Sequence, residues 1–404
     1  MSKTVLLLGT LDTKGQEYGL IRDLIRARGH DVVVMDLGVQ GDPPFVPGIP
    51  ATRVAVAGGG SLEDLRRRGD RGAAVDVMQA GARALTRALY AERRFDGVLG
   101  LGGGGGTTMI TAAMRELPVG VPKVMVSTMA SGNTATYVDV KDITMMFPVV
   151  DIAGLNPLSR RILANAAGAI CGMVEQLPPD LGDQRRLIAA SMFGVTTPCV
   201  TAARRRLEDA GYEVLVFHST GSGGRAMEGL IADGIFAGVL DVTTTEWCDE
   251  VVGGVLTAGP DRLSAAGSAG LPQVVSVGAL DMVNFGALDT VPTAFRDRTL
   301  YRHNETVTLM RTTPEECRVI GRRIAEQLNR ARGPVVLVLP LRGVSMIDAP
   351  GQPFHDPAAD QALFNALKEY AAPSVRIREI DAHINDAEFA QALADELLAL
   401  LGRT

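Results

Sequence analysis

Aromatic residues make up only 4% of this 404-residue chain, with a single tryptophan, so there is little from which to build a groove that stacks nucleic-acid bases. Basic charge is not in excess either. Forty Lys and Arg stand against 46 Asp and Glu, a formal net charge of −6, whereas holding a phosphate backbone needs the opposite balance. No nucleic-acid partner is expected. Cysteine is sparse: Cys171, Cys199, Cys248 and Cys317 form no CxxC pair, and they read as reduced, buried small hydrophobes of a cytoplasmic protein. Long hydrophobic runs are missing. After Lys3 the first apolar run extends only from Val5 to Leu8, too short for a secretion signal, and nowhere do about 18 apolar residues follow one another. Neither secretion nor a membrane is expected.

What the chain does have is glycine, 46 residues of it, within a composition that is 46% hydrophobic. An interior of Val, Leu, Ile, Ala and Met with close backbone approaches favours layered α/β architecture. The first 36 residues read as strand, loop, helix and strand: Thr4 to Leu8 is apolar, Tyr18, Leu20, Ile21, Leu24 and Ile25 recur at helical spacing, and Asp31 to Asp36 is a β-branched run. After a Pro-rich excursion, Val54 to Gly60 reads as another short strand and Ser61 to Glu92 as helical. Phe95 to Gly100 and Pro122 to Ser127 are further strands, each running into a polar or glycine-rich loop.

The second half repeats this grammar. Leu187 to Ser191, Tyr212 to Phe217, Phe236 to Asp241 and Pro272 to Val277 read as strands in the same order, with unequal spacing between them. Two tandem Rossmann-like lobes with largely parallel sheets follow, 1–182 and 183–404, divided at the Pro178-Pro179-Asp180 stretch. The last third adds a helix from Pro314 to Arg330, a strand from Pro334 to Leu339, and two helices around a strand at Val375 to Ile380.

Five consecutive glycines, Gly102, Gly103, Gly104, Gly105 and Gly106, followed by Thr107, are the sharpest motif. They let backbone N–H groups approach an anion at the start of a helix, and phosphate is the natural guest. The run is neither a Walker A loop nor a GxGxxG fingerprint. Gly9, Thr10, Asp12, Thr13, Lys14 and Gly15 lie where the first strand meets its helix, the crevice position of this fold class. Lys14 and the threonines suit phosphate, Asp12 suits Mg²⁺, and helix capping by Asp12 or Thr13 is the plainer alternative. Ser131, Gly132 and Asn133 belong to a third loop on the same edge.

In the second half, Gly221, Ser222, Gly223, Gly224 and Arg225 form another candidate anion cradle, for a substrate. Glu246 and Asp249 lie one helical turn apart, suited to acid–base work or a cation, unless Glu246 completes a capping box with Thr243. Asp281 and His303 are further candidate catalytic groups, and Asn304 a substrate contact. No HxH or HExxH spacing supports a transition metal, and Arg66 to Arg68 and Arg204 to Arg206 read as solvated faces.

With those residues in hand, the whole chain, from about residue 3 to 400, resembles the ATP-binding family typified by the plant tobamovirus-resistance protein, which has many uncharacterised bacterial members. The marks are Gly9 to Gly15, Gly102 to Thr107, Ser131 to Asn133, Gly221 to Glu228, His303-Asn304 and His383 to Asp386. The resemblance implies two Rossmann-like lobes, ATP bound by the first, and a homodimer. The antiviral role of the plant members is not carried over. Three functions stay open: an ATP-dependent enzyme on a small acidic substrate, a non-catalytic nucleotide sensor or partner-binding module, and a nucleotide-independent hydrolase or lyase with its site in the second lobe.

Overall fold

In the computed structural model, which describes residues 2–177 and 185–402, the apolar runs of the N-terminal unit become five parallel strands. They are β1 (Thr4–Gly9), β2 (Asp31–Asp36), β3 (Gly97–Gly102), β4 (Lys123–Ser127) and β5 (Thr144–Met146), in the order β2-β1-β3-β4-β5. Leu6 and Leu8 face one helical layer and Val5 and Leu7 the other, so both faces of the sheet are covered, as a parallel sheet requires. The chain divides into units of residues 1–180 and 181–404. The expected boundary near residue 183 lies outside the described residues.

One expected strand is a helix. Val54 sits in the helix Ala51–Ala57, which enters through Pro50 and packs on the helix Arg71–Ala91. The contact is backbone to backbone: a Cβ on Gly81 would fall 1.9 Å from the Val54 carbonyl oxygen, and one on Gly58 would fall 2.0 Å from that of Val77. Gly58 and Gly81 are what lets the two helices touch. The helical stretch expected from Ser61 to Glu92 is two helices, Leu62–Arg68 and Arg71–Ala91, parted by the left-handed Gly69.

The C-terminal unit carries a six-stranded parallel sheet. In chain order its first four strands are β6 (Leu187–Met192), β7 (Glu213–His218), β8 (Phe236–Thr243) and β9 (Gln273–Gly278). A small antiparallel sheet follows, with β10 (Met282–Phe285), β11 (Leu300–Arg302) and β12 (Thr308–Arg311) in the order β10-β12-β11. Then β13 (Val335–Pro340) and β14 (Val375–Ile380) complete the large sheet, β14-β13-β9-β8-β6-β7. The mixed α/β architecture with two parallel sheets is the one expected; the antiparallel insertion is not, because its strands are three or four residues long. Asn284 lies on β10. Among the described residues no helix is long and apolar enough to cross a membrane.

Candidate functional site

At the carboxyl ends of β1 and β3 the two glycine-bearing segments meet. A cavity of about 720 Å³ is lined by Thr10, Asp12, Thr13 and Lys14 on one side and by Gly103, Gly104, Gly105 and Gly106 on the other. Its size lies within the range of small-molecule sites. The glycines open the helix Gly104–Met114, with Gly103 as N-cap and no side-chain cap, so the first N–H groups of that helix face the cavity without a carboxylate or hydroxyl of their own. Thr107 is not a ligand group: its hydroxyl is buried between the Gly103 carbonyl and Ser127. Ser131, Gly132 and Asn133 stay out of the lining; Asn133 accepts the Ala135 N–H instead. The nearest part of their loop is Thr128, whose hydroxyl lies 3.7 Å from where a Gly103 Cβ would stand.

The first segment is helical from Leu11 rather than a loop, because the buried Asp36 at the end of β2 accepts the Leu11 N–H at 3.0 Å and the Gly38 N–H at 2.8 Å. Burial pushes the Asp36 carboxyl up, and its two N–H partners hold it down only in part. Gly9 and Gly15 serve packing: a Cβ on Gly9 would overlap the Tyr18 hydroxyl at 1.8 Å, and one on Gly15 would meet Pro44 at 2.3 Å. Asp12 accepts the Gln40 N–H through Oδ2, while its buried Oδ1 has no partner. Asp12 lines the same cavity as Gly103 to Gly106, and a carboxylate there suits a cation.

Lys14 departs from helical geometry, and its ammonium donates to the Ile152 carbonyl at 2.5 Å. The cation that faces the glycines is Arg71, which opens the helix Arg71–Ala91 and whose terminal nitrogen lies 3.9 Å from where a Gly105 Cβ would stand. Arg66 is exposed, as expected, and also donates to the carbonyls of Val39 and Gly41 at the wall of the same cavity. Leu37, Val39, Leu65, Val75 and Met109 give that wall an apolar character.

In the C-terminal unit the second glycine loop is already filled. Glu246 Oε1 accepts the Gly221 N–H at 2.7 Å and the Gly224 N–H at 3.1 Å, and its Oε2 accepts Arg262 Nε at 2.6 Å. A Cβ on Gly224 would stand 2.2 Å from that carboxylate. Arg262 is wholly buried, with Asp241 bidentate at 2.5 and 2.7 Å and Glu228 at 3.1 Å. Burial works against its charge, and these carboxylates outweigh it and keep the guanidinium ionised. Arg225 turns away to the Thr257 carbonyl.

The other acid–base candidates are not gathered into an accessible centre. Asp249 is buried, accepting both the backbone and side-chain amides of Asn284, and burial raises it to about 7. Asp281 is buried too, accepting the Ser345 hydroxyl. His303 and Asn304 sit in the exposed hairpin turn between β11 and β12, where Asn304 accepts from Thr306. The expected capping box of Thr243 and Glu246 does not form, since the helix Glu246–Val252 begins after Thr245 without a side-chain cap. Among the described residues no group of three or more His, Cys, Asp or Glu is arranged to hold a metal ion.

Two comparisons with known sequences bear on this arrangement. Residues 3–179 match the N-terminal domain, and residues 185–401 the C-terminal domain, described as "Uncharacterised protein family (UPF0261)". The chain belongs to the UPF0261 family. A UPF0261 protein of Clostridium tetani is 54% identical over 99% of this chain and all of its own length, and one of Rhizobium meliloti is 50% identical over 96% and 97%. The ToMV resistance protein Tm-1(GCR237) of Solanum lycopersicum is 40% identical over 99% of this chain, which spans 56% of the tomato protein. Solved structures are only distantly similar: MurG of Acinetobacter baumannii has 11% identity and a TM-score of 0.22, with 100% of this chain and 92% of that one covered.

Within this UPF0261 chain, the groups that reading along the sequence missed are Arg71, Arg66 and Gln40. Each reaches the cavity from outside the two glycine segments. The available signal was Asp70-Arg71, an N-cap residue followed by a base at a helix start; Asp70 does cap, accepting the Gly72 and Ala73 N–H groups.

Proposed function

We propose that the N-terminal unit binds a nucleoside triphosphate, ATP, with its phosphates on Gly103 to Gly106 and its base against the apolar wall of Leu37, Val39, Leu65 and Val75. The observation that carries the reading is the convergence of two separate glycine-bearing segments on one cavity of about 720 Å³, with an uncapped helix start at its floor. Backbone N–H groups and the helix dipole favour a phosphate there, and Arg71 supplies a cation in addition to Lys14, whose ammonium also donates to the Ile152 carbonyl. Thr10 and Thr13, hydrogen-bonded to one another at 2.9 Å, offer hydroxyls at the same rim. Mg²⁺ bound with the nucleotide would neutralise phosphate charge, and Asp12 Oδ1 is the oxygen that would hold it. The ATP-binding character implied by the family resemblance agrees with this chemistry.

The test is calorimetric titration of the full chain with ATP, ADP, AMP and adenosine in Mg²⁺, with phosphate release followed in parallel. ATP should bind more tightly than adenosine, and Arg71→Ala should abolish that preference while leaving adenosine unchanged. Absence of binding at millimolar ATP would overturn the reading. Phosphate release separates an enzyme from a sensor.

A further inference from the structure

Outside both glycine loops, the C-terminal unit buries three carboxylates around one guanidinium, each from a different part of the chain. Asp281 follows β9, Asp348 lies in the loop after β13, Asp360 stands in the helix Pro357–Tyr370, and Arg311 ends β12. Arg311 donates to Asp360 at 2.6 Å and lies 3.8 Å from Asp348. It also donates to the Phe354 carbonyl at 2.8 Å, the Thr312 hydroxyl at 2.9 Å and the Asp356 carbonyl at 3.3 Å. Asp281 and Asp348 are both 0% exposed, and each has one oxygen, Oδ1, with no hydrogen-bond partner.

One guanidinium cannot neutralise three buried carboxylates, and two unpartnered carboxylate oxygens in a dry interior are each costly as anions. A bound proton lessens both problems, removing one negative charge and supplying one donor. The same carboxylates shape and tether the loop 341–356: Asp348 Oδ2 accepts the Val344 N–H at 2.9 Å within the loop, and Asp281, outside it, accepts the Ser345 hydroxyl at 2.7 Å. The Ser345 carbonyl in turn meets His383 Nε2 at 2.9 Å. We propose that the carboxylates Asp281 and Asp360 of this cluster hold one proton at neutral pH, and that its loss frees the loop 341–356 from the carboxyl edge of the second sheet, making that loop a pH-responsive flap.

The other titratable groups facing the cluster are Cys248 from the helix Glu246–Val252, Cys317 from the helix Pro314–Leu328, and His355, whose Nδ1 is 3.9 Å from Asp348. Burial pushes both thiols up, so they stay neutral. Burial likewise raises Asp281 to about 7, where Arg311 opposes it, and raises Asp360 to about 8, where the facing Asp348 adds to the effect. A carboxyl raised in the closed state and ordinary in the open one favours closure at low pH. That advantage shrinks about tenfold per pH unit and levels off above about pH 8.

The test is hydrogen exchange by mass spectrometry on the full chain, corrected for intrinsic rates, comparing loop 341–356 with the helix Ala387–Leu401. Protection of the loop should fall about ten- to fiftyfold between pH 6 and pH 8 for one proton, while the helix is unmoved. Asp360→Asn, which keeps the oxygen facing Arg311, should remove the dependence; Asp348→Asn, which keeps the oxygen facing Val344, is the second variant. His355→Gln should leave the dependence in place. A flat wild-type profile, an unchanged slope in a folded Asn variant, or a slope lost in His355→Gln would each overturn the proposal.

Discussion

The hydroxyl of Tyr18 accepts the backbone N–H of Leu101 at 2.8 Å, while remaining within hydrogen-bonding reach of the Leu8 and Leu101 carbonyls. One buried phenol thereby fastens together the carboxyl ends of β1 and β3, the two strands that present the glycine segments. Burial raises the phenol far above its ordinary value, so it remains neutral and able to donate. Tyr18→Phe leaves the Leu101 N–H unpaired in the interior and should cost about 1–3 kcal/mol of stability, read by urea denaturation. ATP affinity should fall with it, since the two rims of the cavity lose their tie.

Gly104→Ala should separate binding from folding. Its Cβ would meet nothing nearer than Met129 Sδ at 4.0 Å, so the fold has room, yet the methyl would stand at the helix start where a phosphate would approach. At least about a tenfold loss of ATP affinity, or ~1.4 kcal/mol, is expected by titration calorimetry, with an unchanged thermal midpoint.

Glu246→Ala should behave as a stability mutant. It strips Arg262 of one of its buried carboxylate partners and leaves the Gly221 and Gly224 N–H groups without their acceptor. The expected loss is about 3–5 kcal/mol, measured by chemical denaturation. ATP binding by the N-terminal unit should be unaffected at temperatures where the variant remains folded.

Asp249 predicts a pH dependence of global stability. Its folded value of about 7 lies above that of an unfolded aspartate, so its contribution is complete at low pH and is lost as pH rises through 7. Asp249→Asn should make the fall in unfolding free energy between pH 5 and pH 7 shallower by about 1.4 kcal/mol per pH unit, as followed by denaturant titrations across that range.

The strands were legible where β-branched and leucine runs stand between glycine or proline, as at Asp31 to Asp36 and Val375 to Ile380, because local pattern and tertiary demand agree there. The cavity segments were legible because Gly102 to Gly106 and Gly9 to Gly15 follow such strands. Val54 misled because its burial comes from a neighbouring helix, a contact made possible by Gly81 far along the chain. Arg71 was hidden for a similar reason: nothing in its own neighbourhood says that Gly105 will lie opposite. Glu246 and Asp249 share a helix face pattern in the sequence, yet Arg262 and Asn284, each reached only through the fold, give them separate partners.

Glu246 also sets a count. A chain with two glycine loops after two parallel strands invites the arithmetic of two phosphate ligands, one per unit. The second cradle, however, is closed by an internal carboxylate, which accepts the Gly221 and Gly224 N–H groups that a phosphate would need. If the proposed nucleotide binds, titration should therefore saturate at one per chain at the two glycine loops, because the C-terminal copy of the motif serves as a fastening.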